Sequence, residues 1–85
     1  MIDIYYVEDD KIISQAVKEF LGRRGYRVSV FPTITGAKEA LLHMRPTIVL
    51  VDWNMPDGNG NLLVQWIRSK WKKLPVIFLT VRGDS

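Results

Sequence analysis

Residues 47–51 read Thr-Ile-Val-Leu-Val, an unbroken apolar run with no alternation. A strand of this kind is buried on both faces, which points to a parallel sheet with helices above and below it. The rest of the chain supplies what such a sheet needs. Residues 2–7 and 76–79 are short apolar runs, and residues 27–31 alternate like a strand. Three helical patterns lie between the strands. Over residues 11–24, Ile12, Ala16 and Phe20 form one row spaced by four, and Ile13, Val17 and Leu21 form the next, giving one face of an amphipathic helix. Asp9 or Asp10 can cap its start, and Gly22 or Gly25 can end it. Pro32 and Thr33 open a second helix that carries Ile34, Ala37, Leu41 and Met44 on one face, and Pro46 stops it. The third helix is predicted over residues 61–71, with Leu62 over Trp66 and Leu63 over Ile67. A turn-rich stretch, Asp52 to Gly60 (DWNMPDGNG), connects the third strand to this helix, and Lys73-Leu74-Pro75 forms the last loop.

The predicted order is β-α-β-α-β-α-β. This is an α/β fold, a doubly wound parallel sheet with right-handed crossovers. Eighty-five residues allow one domain. With 47% apolar and 25% charged residues, the composition is that of a globular chain rather than a disordered one. The absence of cysteine excludes disulfides, thiolate metal sites and thiol nucleophiles. There is no signal-peptide pattern, and no apolar run reaches the ~20 residues that span a bilayer. The expectation is a soluble, cytoplasmic protein without membrane contact. The net charge is +3. The basic residues are scattered apart from Lys70, Lys72 and Lys73 around Trp71, which reads as a solvated helix end; no direct nucleic-acid contact is expected of this chain.

Open sheets of this kind bind ligands beyond the carboxyl ends of their strands. Glu8 and Asp9 end the first strand, Asp52 the third and Thr80 the fourth, so all four fall on one rim. Carboxylates gathered in this way either take up protons or share a cation. A set of acids without His or Cys favours a hard cation, and Mg²⁺ prefers few carboxylates, several waters and a phosphate oxygen. An acid pocket with a divalent ion beside a nucleophilic carboxylate suits phosphoryl transfer.

At these residues the chain resembles the response-regulator receiver domains of two-component signalling. The resemblance rests on Val7-Glu8-Asp9-Asp10 after the first strand, on Asp52-x-x-Met55-Pro56 with Gly60 eight residues beyond Asp52, and on Thr80 ending the Pro-Val-Ile-Phe-Leu strand. It implies a flavodoxin-like fold and a set of roles. Asp52 is the phosphoacceptor, taking phosphorus from the phosphohistidine of a sensor histidine kinase. Asp9 and Asp52 ligate Mg²⁺ directly, Glu8 through water, and Asn54 through its backbone carbonyl. Thr80 hydrogen-bonds the phosphoryl group in the switching step, and the Val81 N–H helps to cradle it. Asp10 matches no ligand position and reads as a helix N-terminal charge.

Departures from the family accompany these matches. Val81 replaces the usual small residue after the threonine and is expected to crowd phosphate access. The resemblance spans the whole chain, yet the chain corresponds to roughly the first two-thirds of the family's fold. The expectation is a receiver domain over residues 1–85, truncated after the fourth strand. The fourth helix, the fifth strand with its phosphate-pairing lysine and switch aromatic, and the fifth helix are then absent. The fourth strand would become a sheet edge open to a homodimer or a domain-swapped dimer.

Two other functions compete with phosphoacceptance. One is a receiver-like binding or assembly module, or an inactive fragment, that is not phosphorylated. The other is an aspartate-nucleophile phosphatase, which usually needs a second acid two residues after the nucleophile, where this chain has Asn54. The domain is expected not to be an enzyme, beyond catalysing its own phosphorylation. Tyr5, Tyr6, Trp66 and Trp71 read as packing residues, with a partner needed for each tyrosine hydroxyl. His43 reads as a helix-end residue, Trp53 as a reporter beside Asp52, and Asp57 to Gly60 as a turn.

Overall fold

The computed structural model describes residues 1–79. Its elements are β1 (Asp3–Val7), α1 (Lys11–Arg23), β2 (Arg27–Phe31), α2 (Ile34–His43), β3 (Ile48–Val51), β4 (Asn54–Met55), β5 (Gly58–Asn59), α3 (Gly60–Lys70) and β6 (Val76–Phe78). The four predicted strands form one parallel sheet in the order β2-β1-β3-β6. This is the flavodoxin-like order, which reverses direction between β1 and β3. The turn-rich stretch contains a feature not anticipated from the sequence, a two-stranded antiparallel pair of β4 and β5 closed by Pro56 and Asp57.

Side-chain alternation along the strands builds two cores. Val7, Val49 and Val51 face α2 and α3, where they pack with Ile34, Ala37, Leu41, Leu63 and Ile67. Ile4, Tyr6 and Leu50 point the other way and pack with Val28 toward Val17 and Leu21 of α1. One helix on one face and two on the other is the doubly wound arrangement expected of these strands.

The helix ends agree with the sequence in kind. Asp10 rather than Asp9 caps α1, Thr33 caps α2, and Asn59 caps α3. Of the two glycines, Gly25 ends α1: it follows the C-cap Arg24 with a positive φ of 93°, and the Gly25 and Tyr26 N–H groups donate to the Gly22 and Leu21 carbonyls at 3.1 and 3.2 Å.

Three packing expectations are corrected. The row Ile12, Ala16 and Phe20 is exposed, and α1 turns Ile13, Ser14, Val17 and Leu21 inward. Both rows carry the same period, and the position of the sheet selects between them. Phe20 lies instead along an open apolar groove with Val17, Leu21, Leu50 and Ile77, and the Arg24 guanidinium stacks 4.2 Å from its ring centroid. Met44 is exposed because α2 ends at His43 and Met44 has extended backbone. Leu62 is also exposed, and only Leu63 and Ile67 of the two predicted pairs are buried.

Candidate metal and phosphoryl site

The site forms where two strands end side by side. The Glu8 N–H donates to the Phe31 carbonyl at 3.0 Å, and the Asp52 N–H donates to the Val7 carbonyl at 2.9 Å. These bonds continue the sheet ladder one residue past each strand and fix both acids at the β1/β3 reversal. Carboxylate oxygens of Glu8, Asp9 and Asp52 lie within 4.8 Å of one another. Glu8 is buried, Asp52 half-buried and Asp9 exposed.

The donor set fits a hard cation. Three carboxylates with no soft ligand are suited to Mg²⁺. Oxygens gathered within 4.8 Å are close enough to share one such cation.

Burial pushes the Glu8 carboxyl above the usual carboxylate range, and the charges of Asp52 and Asp9 push in the same direction. Two hydrogen bonds oppose this shift: the Asp10 N–H donates to Glu8 Oε2 at 3.1 Å, and the Tyr6 hydroxyl donates to Oε1 at 3.3 Å. Burial, followed by the charge of Glu8, raises the Tyr6 phenol far above its ordinary value, so it remains a donor.

The loop after Asp52 is anchored at its base and its tip. At the base, the Gly60 N–H donates to the Trp53 carbonyl at 2.7 Å. A Cβ on Gly60 would lie 2.5 Å from the Asp52 carbonyl oxygen and 2.8 Å from Val51 Cγ1, so only glycine lets α3 start this close to Asp52. At the tip, Asp57 Oδ1 accepts from the Ile34 N–H at 2.9 Å, and Oδ2 accepts from the Thr35 N–H at 3.0 Å and the Thr35 hydroxyl at 2.9 Å. Trp53 stands beside Asp52 with its ring centroid 5.0 Å from that of Phe78.

Of the residues singled out in the sequence, Glu8, Asp9 and Asp52 come together. Asn54 lies in β4, paired with Asn59. Asp10 serves as the α1 cap, accepting from the N–H groups of Ile12 and Ile13, as its place outside the ligand set implied. Thr80 and Val81 lie outside the described residues. Tyr5 finds its partner in the Met44 carbonyl at 3.0 Å. The sequence reading missed two contributors, Tyr6 and Asp57. Tyr6 did carry a signal: residues two apart on a strand share a face, so a tyrosine two before Glu8 points the same way.

The chain belongs to the response regulator receiver domain family, whose family model matches residues 4–85. Receiver domains are the phosphoacceptor modules of two-component response regulators. The chain is 37% identical over 82 residues to the transcriptional regulatory protein CseB of Streptomyces avermitilis, covering 96% of this chain and 34% of that protein. It is 31% identical over 80 residues to the transcriptional regulatory protein RstA of Escherichia coli, covering 94% of this chain and 33% of that protein. It therefore spans about a third of the length of these curated relatives. Among solved structures, the non-phosphorylated HemR receiver domain of Leptospira biflexa superimposes with a TM-score of 0.89 at 35% identity, covering 100% of this chain and 68% of that one. The response regulator TrrA of Thermotoga maritima, in complex with Mg²⁺-BeF, gives a TM-score of 0.92 at 28% identity, covering 98% and 72%. Among the described residues, no helix is long and apolar enough to cross a membrane.

Proposed function

We propose that Asp52 accepts a phosphoryl group from the phosphohistidine of a sensor histidine kinase. The observation that carries this reading is the convergence of Glu8, Asp9 and Asp52 at the β1/β3 reversal. Asp9, Asp52 and the Asn54 backbone carbonyl would hold Mg²⁺ directly, and Glu8 would hold it through water. When bound, Mg²⁺ neutralises the clustered carboxylates and the incoming phosphoryl oxygens. An Asp52 oxygen forms the new P–O bond as the P–N bond to the donor imidazole breaks. The departing nitrogen keeps the bonding pair, and because the other ring nitrogen of the phosphohistidine carries a proton, the donor leaves as neutral imidazole. Thr80 and the Val81 N–H would receive the transferred phosphoryl oxygens, by family resemblance.

In this reading the domain would catalyse its own phosphorylation. Its setting would be the cytoplasm, where the kinase presents its phosphohistidine. CseB and RstA are transcriptional regulators, and a role in transcription is the corresponding proposal for the protein that carries this domain.

The test is intact mass after incubation with acetyl phosphate, with and without Mg²⁺, on the wild type and Asp52→Asn. The expected result is a phosphoryl adduct that needs Mg²⁺ and is lost in the variant. A folded sample that forms no adduct under either condition would overturn phosphoacceptance and favour the binding-module reading.

A further inference from the structure

We propose that Tyr6 is a positioning residue of the acid site, holding the Glu8 carboxylate in the orientation from which it serves a bound divalent cation. This inference rests on the Mg²⁺-binding reading above. Tyr6 is fully buried on the α1 side of the sheet, in a cluster whose other members, Ile4, Val28 and Leu50, are apolar. Packing alone would be satisfied there by phenylalanine, and a phenol is costly to bury unless its hydroxyl is paired. The hydroxyl donates to Glu8 Oε1 at 3.3 Å.

The second half of the arrangement is backbone. Glu8 Oε2 accepts the Asp10 N–H at 3.1 Å. The carboxylate is therefore held through both oxygens, from inside the sheet by Tyr6 and from the start of α1 by the main chain. Two donors still leave capacity, because an ionised carboxylate has about four acceptor positions. The remaining lone pairs can take a metal-bound water, so Tyr6 orients Glu8 without competing for its ligand role. Outer partners of this kind fix the direction of a metal-site group, and their removal typically costs 10–100-fold in metal affinity.

The experiment titrates MgCl₂ into the wild type, Tyr6→Phe, Glu8→Gln and the double variant, read by Trp53 fluorescence, with folding checked by circular dichroism. Tyr6→Phe is expected to weaken Mg²⁺ binding about 10-fold. The double variant is expected to bind no more weakly than Glu8→Gln alone, because Tyr6 acts through Glu8. A merely structural tyrosine would lower the melting temperature and leave the Mg²⁺ affinity unmoved. Unchanged affinity in Tyr6→Phe, or an equal loss in the Glu8→Gln background, overturns the proposal. A folded wild type that does not bind Mg²⁺ overturns the metal reading itself, and this inference with it. A metal-free measurement on the wild type needs no variant: the Tyr6 hydroxyl proton should be protected and visible by NMR, and free exchange overturns the bond.

Discussion

Asp57 Oδ2 accepts both the backbone N–H and the hydroxyl of Thr35, at 3.0 and 2.9 Å, from 22 residues along the chain. This ties the turn beyond Asp52 to the first turn of α2. A carboxylate at a helix N-terminus satisfies otherwise unpaired donors and meets a favourable dipole.

Asp57→Ala is expected to destabilise the domain by about 1 kcal/mol at neutral pH, the usual cost of losing a helix-capping side chain. The donated N–H groups hold the Asp57 carboxyl below its ordinary value. Its stabilising effect is therefore complete above the unfolded Asp pKa of about 3.9, and it fades as pH falls through the lower folded value. Urea unfolding at several pH values should show the gap between wild type and variant closing toward low pH. A gap that is independent of pH would mean the contribution is not the carboxylate's.

Asp10→Ala should cost a similar ~1 kcal/mol by uncapping α1. The Asp10 backbone N–H that donates to Glu8 survives this change. Mg²⁺ affinity by Trp53 fluorescence should accordingly stay within about twofold of wild type. A large loss would make the Asp10 side chain a ligand.

Asp52→Asn removes one of three neighbouring carboxylates. Without metal, the variant should be more stable than wild type by on the order of 1 kcal/mol, the bulk-water value for like charges near 4 Å. Added Mg²⁺ should raise the melting temperature of wild type much more than that of the variant, since only the state that binds is stabilised. Parallel thermal melts decide this, and equal Mg²⁺ shifts in the two proteins would remove Asp52 from the ligand set.

Gly60→Ala places a Cβ against the Asp52 carbonyl oxygen and Val51 Cγ1. Overpacking of this kind typically costs about 1–3 kcal/mol. Here the atom that must move is the backbone of Asp52, the proposed phosphoacceptor, so the variant should lose both thermal stability and Mg²⁺-dependent phosphorylation. A variant as stable as wild type would show that α3 can shift without disturbing Asp52.

The extent to which the sequence could be read differs from residue to residue. Glu8, Asp9 and Asp52 were legible because Glu8 and Asp52 each follow an apolar run directly, with Asp9 next to Glu8, and residues just past parallel strands share one rim whatever the detail of the helices. The β4–β5 pair was not, since two-residue strands leave no periodicity and Asp52 to Gly60 shows only turn chemistry. Asp57 was read as part of a turn, because nothing local marks it as the partner of α2.

Local periodicity thus determined four strands, three helices, their alternation, and the placing of three acids at strand ends. Tertiary structure decided which row of α1 turns inward, burying Ser14 and leaving Ile12 and Phe20 exposed, because two rows of equal period differ only in where the sheet lies. It also decided which hydroxyl meets which carboxylate. Strand pitch puts Tyr6 and Glu8 on one face, but their bond forms only because the helix on that side and the neighbouring strands exclude water, leaving the phenol no other partner at hand.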